Sequence, residues 1–415
     1  MTTVMLIVAG LLVLKLAAEW GLDLLNRQQV LRHADRAPEG LREVVDEPTY
    51  RKAVDYTLAK NRFSMLESGF SAVVLAAVVF SGVLPWIYEL FGEGPGRPAW
   101  LGALYLIAVM TGLSLVSLPL DWWSQFRLEE RFGFNKSTPG LWAADKVKGA
   151  LVGFVLGFPL IWVLLALVNW TGSAWWIWGF AVFFGFQLVM MIVYPMFVMP
   201  LFNKFTPLPD GELKTALMEL ADRTGFRAKT ILVMDGSRRS AHSNAFFTGF
   251  GRFRRIVLYD TLMEQLGRPE LAAVLAHEIG HYKKGHIPRM LGISAVLVFG
   301  AFALIAWLAG QDWFYAGFGF DPETAGLAPA FLLFGLLSGL VSFWLSPLFN
   351  LMSRKHEYEA DEFARAAVGE ADPLIGALRK LSEKNLSNLT PHPLYSGFYY
   401  SHPTLLERET ALRGS

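Results

Sequence analysis

Long apolar runs divide the chain near residues 3–25, 66–91, 99–122, 148–170, 174–201, 290–309 and 328–352. Each is long enough for a helix to cross a hydrocarbon core about 30 Å thick. The pattern predicts a mainly α, polytopic membrane protein with seven transmembrane helices. Two stretches interrupt it. Residues 202–289 read as a soluble-type α+β insert, in which Asp210 is placed to cap a helix through GELKTALMELADRTGF. ILVMDG and RRIVLYD read as short strands, with HSNAFFTGF between them. Gly267-Arg268-Pro269 opens a further helix, where proline suits the first turn. Residues 353–415 form a second polar region, helical at first and loop-like near Pro391 and Pro403. The expected organisation is therefore spans one to five over 1–201, a cytoplasmic insert over 202–289, spans six and seven over 290–352, and a C-terminal cytoplasmic region over 353–415.

The first apolar run begins at Met1, as a signal peptide would. It lacks a basic leading segment, and Lys15, Glu19 and Asp23 follow without a small-residue cleavage pattern, so it reads as a span. Basic residues then sort by side. They crowd the segments after spans one, three and five and the C-terminal tail, and they nearly vanish from the intervening loops. By the positive-inside rule this places the N-terminus outside and the C-terminus in the cytoplasm.

Composition agrees with a lipid bilayer as solvent: 53% of residues are hydrophobic and 18% charged, with mean hydropathy +0.36. The net charge of +1 gives no electrostatic reason for a nucleic-acid partner. The absence of cysteine excludes disulfides, cysteine-ligated zinc and a cysteine nucleophile.

The chemistry sits in LAAVLAHEIGHYKKGH, where His277, Glu278 and His281 form an H-E-x-x-H pattern on a predicted helix. Histidines four residues apart share a helical face and reach one metal, and the glutamate between them is placed to take a proton from water. Chance alone produces the pattern in about one chain in a hundred of this size. A catalytic zinc needs a third protein ligand and a fourth position open to water. Glu357, in SRKHEYEADEFARAA, is the candidate, and Asp361, four residues on, shares its face as the carboxylate that orients a zinc histidine. Glu359 and His356 are rivals by residue type, but they point roughly 100–200° away from that pair on an ideal helix. His286 lies off the ligand face and reads as an interfacial structural residue. His402 precedes a proline and stands near Arg408; by itself it reads as a loop histidine.

Together, the H-E-x-x-H helix, EYEAD, YSHPTLLER, HSNAFFTGFGRFRRIVLYDTL and FRLEERFGFNKST resemble the integral-membrane CAAX prenyl endopeptidases of type I, from about Tyr50 to Arg408. The resemblance implies a zinc metalloendopeptidase of the gluzincin type, with one Zn2+ per chain and seven helices enclosing a water-filled chamber. It implies that His277, His281 and Glu357 are ligands, that Glu278 is the general base and that Asp361 supports a ligand. His402 and Arg408 then stabilise the oxyanion, and Ser243, Asn244 and Ala245 begin an edge strand that binds peptide. The expected substrate is a peptide or membrane protein held as an extended strand. The short length and the lack of an ER-retention tail point to a bacterial cytoplasmic membrane, with the zinc site on the cytoplasmic side.

Two other functions fit parts of the pattern. A heat-shock-type quality-control zinc protease shares the motifs but has fewer spans. A transporter or channel with structural zinc predicts charges in mid-span, whereas Lys15, Glu19, Glu67 and Asp121 read as span-end residues.

Overall fold

Apolar runs without strong breakers become long helices, and most extend beyond the greasy segment itself. The computed structural model describes residues 2–38, 40, 42, 45–92, 97–226, 228–248 and 255–414. Helix α1 spans Thr3–Arg32 and α2 spans Glu47–Phe80. The latter is capped by Asp46, whose carboxylate accepts from the Thr49 N–H at 2.9 Å. Helix α3, Ala99–Trp123, continues through a π-helical stretch, Ser124–Glu129, to Phe132.

Among the described residues six continuous helical segments are long and apolar enough to cross a membrane. One of them, Pro139–Phe202, is 64 residues long and is broken at Gly172, where φ is +55°. Helices α4 (Pro139–Thr171) and α5 (Trp175–Val193) flank the break and pack against each other. Lys148 Nζ donates to the Leu201 carbonyl at 3.1 Å, so the chain has doubled back. That segment supplies two crossings, and the six segments accommodate the seven runs. In three of the six, only 11% of the apolar window is buried within the molecule, as expected of helices whose apolar surface meets lipid.

The insert begins with β1 (Phe205–Pro207) and α6 (Glu212–Arg223). Asp210 does not cap α6. Gly211 occupies the cap position, and the Asp210 carboxylate accepts from Lys214 Nζ at 2.6 Å instead. Strands β2 (Thr230–Met234), β3 (Ala245–Thr248) and β4 (Arg255–Tyr259) complete a sheet of order β1-β2-β4-β3. The pair β2/β4 is parallel and β3/β4 antiparallel, so the expected HSNAFFTGF connection supplies a third strand and leaves it at the sheet edge.

Helix α7, Arg268–Lys283, carries H-E-x-x-H, and Glu270 Oε2 accepts from the Gly267 N–H at 2.7 Å at its start. Helix α8, His286–Ala309, and α9, Leu327–Ser342, re-enter the membrane. A single turn, Phe343–Leu345, joins α9 to α10, Ser346–Val368, giving one 42-residue helical segment. The boundary expected after residue 352 thus falls inside a continuous helix, and the last span itself delivers Glu357. Helices α11 (Asp372–Lys384), α12 (Pro393–Tyr399) and α13 (Leu405–Gly414) close the chain. Leu217, Ile231, Leu258, Leu275, Ile279, Leu374 and Ile375 share one buried cluster, so the insert and the C-terminal region form a single core.

One expectation about charge is corrected. Lys15 and Glu19 lie well inside α1 rather than at its end, and they neutralise each other at 2.7 Å, one turn apart.

Candidate metal and active site

Two helices from distant parts of the chain make the site, α7 and α10. They approach closely because Gly280 faces Ala360: a Cβ at position 280 would stand 3.0 Å from Ala360 Cα. The crossing brings His277 and His281 over Glu357. His277 Nε2 lies 3.4 Å from Glu357 Oε2, His281 Nε2 lies 3.3 Å from Oε1, and the two Nε2 atoms are 3.1 Å apart. The three ligand atoms fall within 4.8 Å of one another. Glu359 and His356 do not join them.

The outer nitrogens explain why the inner ones are available. His277 Nδ1 lies 2.8 Å from Asp361 Oδ1, a pairing that makes Nδ1–H the donor and leaves the Nε2 lone pair facing inward. His281 Nδ1 lies 2.9 Å from His286 Nδ1, so it too is engaged on the outside. Two inward lone pairs then oppose each other beside a buried carboxylate, and Glu357 Oε2 has no hydrogen-bond partner. Such a donor set is complete only around a cation. Burial alone would lower the His277 imidazole, but its hydrogen bond to Asp361 and the nearby Glu357 carboxylate outweigh this and hold it up at about 9, so a proton competes with a metal for Nε2. The nitrogen–nitrogen–carboxylate set, with its orphaned oxygen, fits a divalent metal.

Glu278 stands in the field of His277, His281, Glu357 and Arg408, and burial raises its carboxyl above the ordinary carboxylate value. It also lines a small cleft with Ala245, Phe246 and Phe247, which sets the carboxyl against the edge strand. The Tyr259 N–H donates to the Asn244 carbonyl at 3.1 Å, so by antiparallel alternation the Ala245 N–H points away from β4. That outward N–H donates to Asn244 Oδ1 at 2.8 Å. Ser243 precedes the strand, and its buried Oγ has no partner.

His402 Nε2 lies 3.5 Å from Glu357 Oε1, while its Nδ1 meets Ser401 Oγ at 2.9 Å. Its side chain is 63% exposed, onto a cavity of about 610 Å³ also lined by Lys60, His242, Asn385 and Tyr400. The surrounding protein nevertheless displaces enough water to lower its imidazole below the ordinary value. Arg408 is placed differently from its expected oxyanion role. Its Nε and Nη2 donate to Asp361 at 2.8 and 2.5 Å, and Nη1 faces Glu357 Oε2 at 3.7 Å. Partnership with Asp361 raises the guanidinium despite its burial.

The sequence puts His286 and Glu359 off the ligand faces, but it does not show that His286 bridges His281 to Glu359. The five-residue spacing from His281 puts His286 off the ligand face of a straight helix, but the chain turns at Gly285, where φ is +70°. That glycine was the available signal. Nor does the sequence show what FRLEERFGFNKST does. Phe134 stacks on His242 with ring centroids 4.1 Å apart, and Glu129 lies 3.5 Å from His242 Nε2. These contacts fasten the approach to β3 onto the membrane helices.

The chain is similar to known proteins along its whole length. Residues 26–204 match the family described as the CAAX prenyl protease N-terminal region with five membrane helices, and residues 207–415 match peptidase family M48. CAAX prenyl protease 1 of Saccharomyces cerevisiae is 38% identical, covering 91% of this chain and 88% of the yeast protein. The Arabidopsis thaliana homologue is 37% identical, over 98% of this chain and 97% of that one. The crystal structure of S. mikatae Ste24p superposes with a TM-score of 0.93 at 35% identity, covering 99% of both chains. Agreement of this depth across both halves places the chain in peptidase family M48, among its membrane-embedded metalloendopeptidases of the CAAX prenyl protease type.

Proposed function

We propose that the protein cuts peptide bonds at a zinc ion held by His277, His281 and Glu357. The observation that carries this is the convergence of two imidazole nitrogens on the buried Glu357 carboxylate, one of whose oxygens has no hydrogen-bond partner. When bound, zinc supplies Lewis acidity, polarising a carbonyl and making water acidic enough to lose a proton near neutral pH.

The chain's own groups do the rest. Asp361 holds His277 in the ligand tautomer. Glu278 accepts the proton from the attacking water and returns it to the leaving amine, and its raised carboxyl suits both directions of transfer. His402, neutral and open to the cavity, accepts at Nδ1 from Ser401 and offers its Nε2–H to the developing oxyanion. Arg408 is assigned to holding Asp361 and Glu357 in place, because its donors are turned toward those carboxylates. Substrate lies extended along β3, where the outward N–H of Ala245 serves a peptide carbonyl once the Asn244 side chain moves aside.

The class of substrate follows the relatives' name: proteins carrying a prenylated CAAX sequence. The alternation of basic segments supports a site on the cytoplasmic face, with the N-terminus outside.

One experiment tests the scheme. The full chain, Glu278→Gln and His402→Ala are purified in detergent, assayed for zinc by elemental analysis, and given a prenylated CAAX peptide and its unprenylated counterpart. Glu278→Gln should keep zinc and lose about 10²–10⁴ in turnover, and His402→Ala should keep zinc and lose about 10²–10³. A zinc-loaded, fully active Glu278→Gln chain refutes the base assignment, and loss of zinc from His402→Ala makes that residue a ligand. Equal cleavage of both peptides removes prenylation from the substrate class.

A further inference from the structure

The two zinc histidines are supported unequally. His277 reaches a carboxylate directly, at Asp361. His281 reaches none. Its Nδ1 faces Nδ1 of His286 at 2.9 Å, and His286 Nε2 lies 3.0 Å from Glu359 Oε2. Only one assignment of protons satisfies all three groups while leaving His281 Nε2 free for metal. Nδ1–H of His281 donates to Nδ1 of His286, and Nε2–H of His286 donates to Glu359.

The ring between them is rigidly placed. His286 is 4% exposed and stacks on His356, with centroids 4.0 Å apart and planes 14° apart. Glu359 is itself neighboured by Arg289 Nη1 at 3.6 Å and Lys355 Nζ at 4.0 Å. His286 is also the first residue of α8, set back toward the site by the left-handed turn at Gly285. The base of a membrane-spanning helix therefore touches the metal ligand.

We infer that His286 is a positioning residue for the metal centre, orienting His281 through an imidazole relay that ends on Glu359, with His356 as the platform that fixes the ring. This inference rests on the zinc reading above. Its physical content is that a ligating histidine needs an acceptor at its outer nitrogen, and such partners typically govern about 10–100-fold in metal affinity.

The test compares the full-length parent with His286→Phe, His286→Asn and Glu359→Leu in detergent micelles. Zinc affinity is read by competition with a chromophoric chelator, and thermal midpoints are read on the metal-stripped proteins. Phenylalanine keeps the stack on His356 but has no nitrogen, so affinity should fall about 10–100-fold with the metal-free midpoint unchanged. Asparagine places an oxygen where Nδ1 was, and it should recover most of the loss. Glu359→Leu should weaken zinc by a smaller factor, and it serves as the test if His286→Phe does not fold. Parent-like affinity in His286→Phe, or in Glu359→Leu in that case, overturns the relay. So does an asparagine variant no better than phenylalanine. A parent that binds no zinc instead refutes the metal reading itself.

Discussion

His277 and Asp361 are 84 residues apart in sequence, yet Nδ1 of one and Oδ1 of the other meet at 2.8 Å. Arg408, from the last helix, closes on the same carboxylate. The three side chains join α7, α10 and α13 at one buried point, so metal binding and the packing of the C-terminal region are linked. Asp361→Ala should therefore do two things. It removes the acceptor for His277, lowering zinc affinity about 10–100-fold. It also strands a buried guanidinium, which costs about 3–5 kcal/mol. Asp361→Asn keeps an acceptor and should retain more zinc than alanine. Chelator competition and thermal melts check both effects, and an alanine variant with the parent's melting point would remove the Arg408 argument.

Gly280 lets the two ligand helices touch. A valine there drives its Cβ into the Ala360 backbone, 3.0 Å away, and backbone cannot swing aside as a side chain can. Overpacking of this kind costs about 1–3 kcal/mol. The ligands come from opposite sides of the crossing, so Gly280→Val should reduce zinc stoichiometry as well as the melting point. Unchanged zinc content at a lowered melting point would show that the site does not depend on this crossing.

At the sheet edge, Ala245→Pro deletes an N–H that points away from β4, so the ladder keeps its bonds while the substrate loses a donor. The expected result is a fall in kcat/KM of about tenfold, the scale of one lost hydrogen bond, with zinc retained. A parent-like kcat/KM would move the peptide off β3.

Acid stability should depend on Glu409, the neighbour of Arg408 on α13. Burial would raise its carboxyl, but ion pairs with Arg379 and Arg413 outweigh that and hold it below its ordinary 4.5. A carboxyl depressed on folding stabilises the native state above its unfolded value, and that stability is lost as pH falls through the folded value. Glu409→Gln should accordingly lower the melting point at pH 7, and the gap to the parent should close below about pH 4. A gap independent of pH would mean that the residue acts through packing alone.

Much of the site was legible in the chain because its signals are local. H-E-x-x-H puts two imidazoles on one helical face, and Glu357 with Asp361 repeats that spacing, so periodicity alone selected the pair over Glu359 and His356. Other residues failed for a physical reason. The helical repeat places His286 correctly only if the helix continues, and Gly285 ends it. Arg408 was recognised as functional, but its direction depends on which carboxylate the tail meets.

Hydrophobic length and the 3.6-residue turn are properties of short segments, so the chain alone reveals its lipid solvent, its number of crossings and the helical spacing of its candidate ligands. Only the packing of distant segments brings Asp361 against His277 and His286 against His281, leaves β3 at the edge and carries the last span on to Glu357. Each of those depends on where a turn sends the chain and on which distant surface is there to receive it.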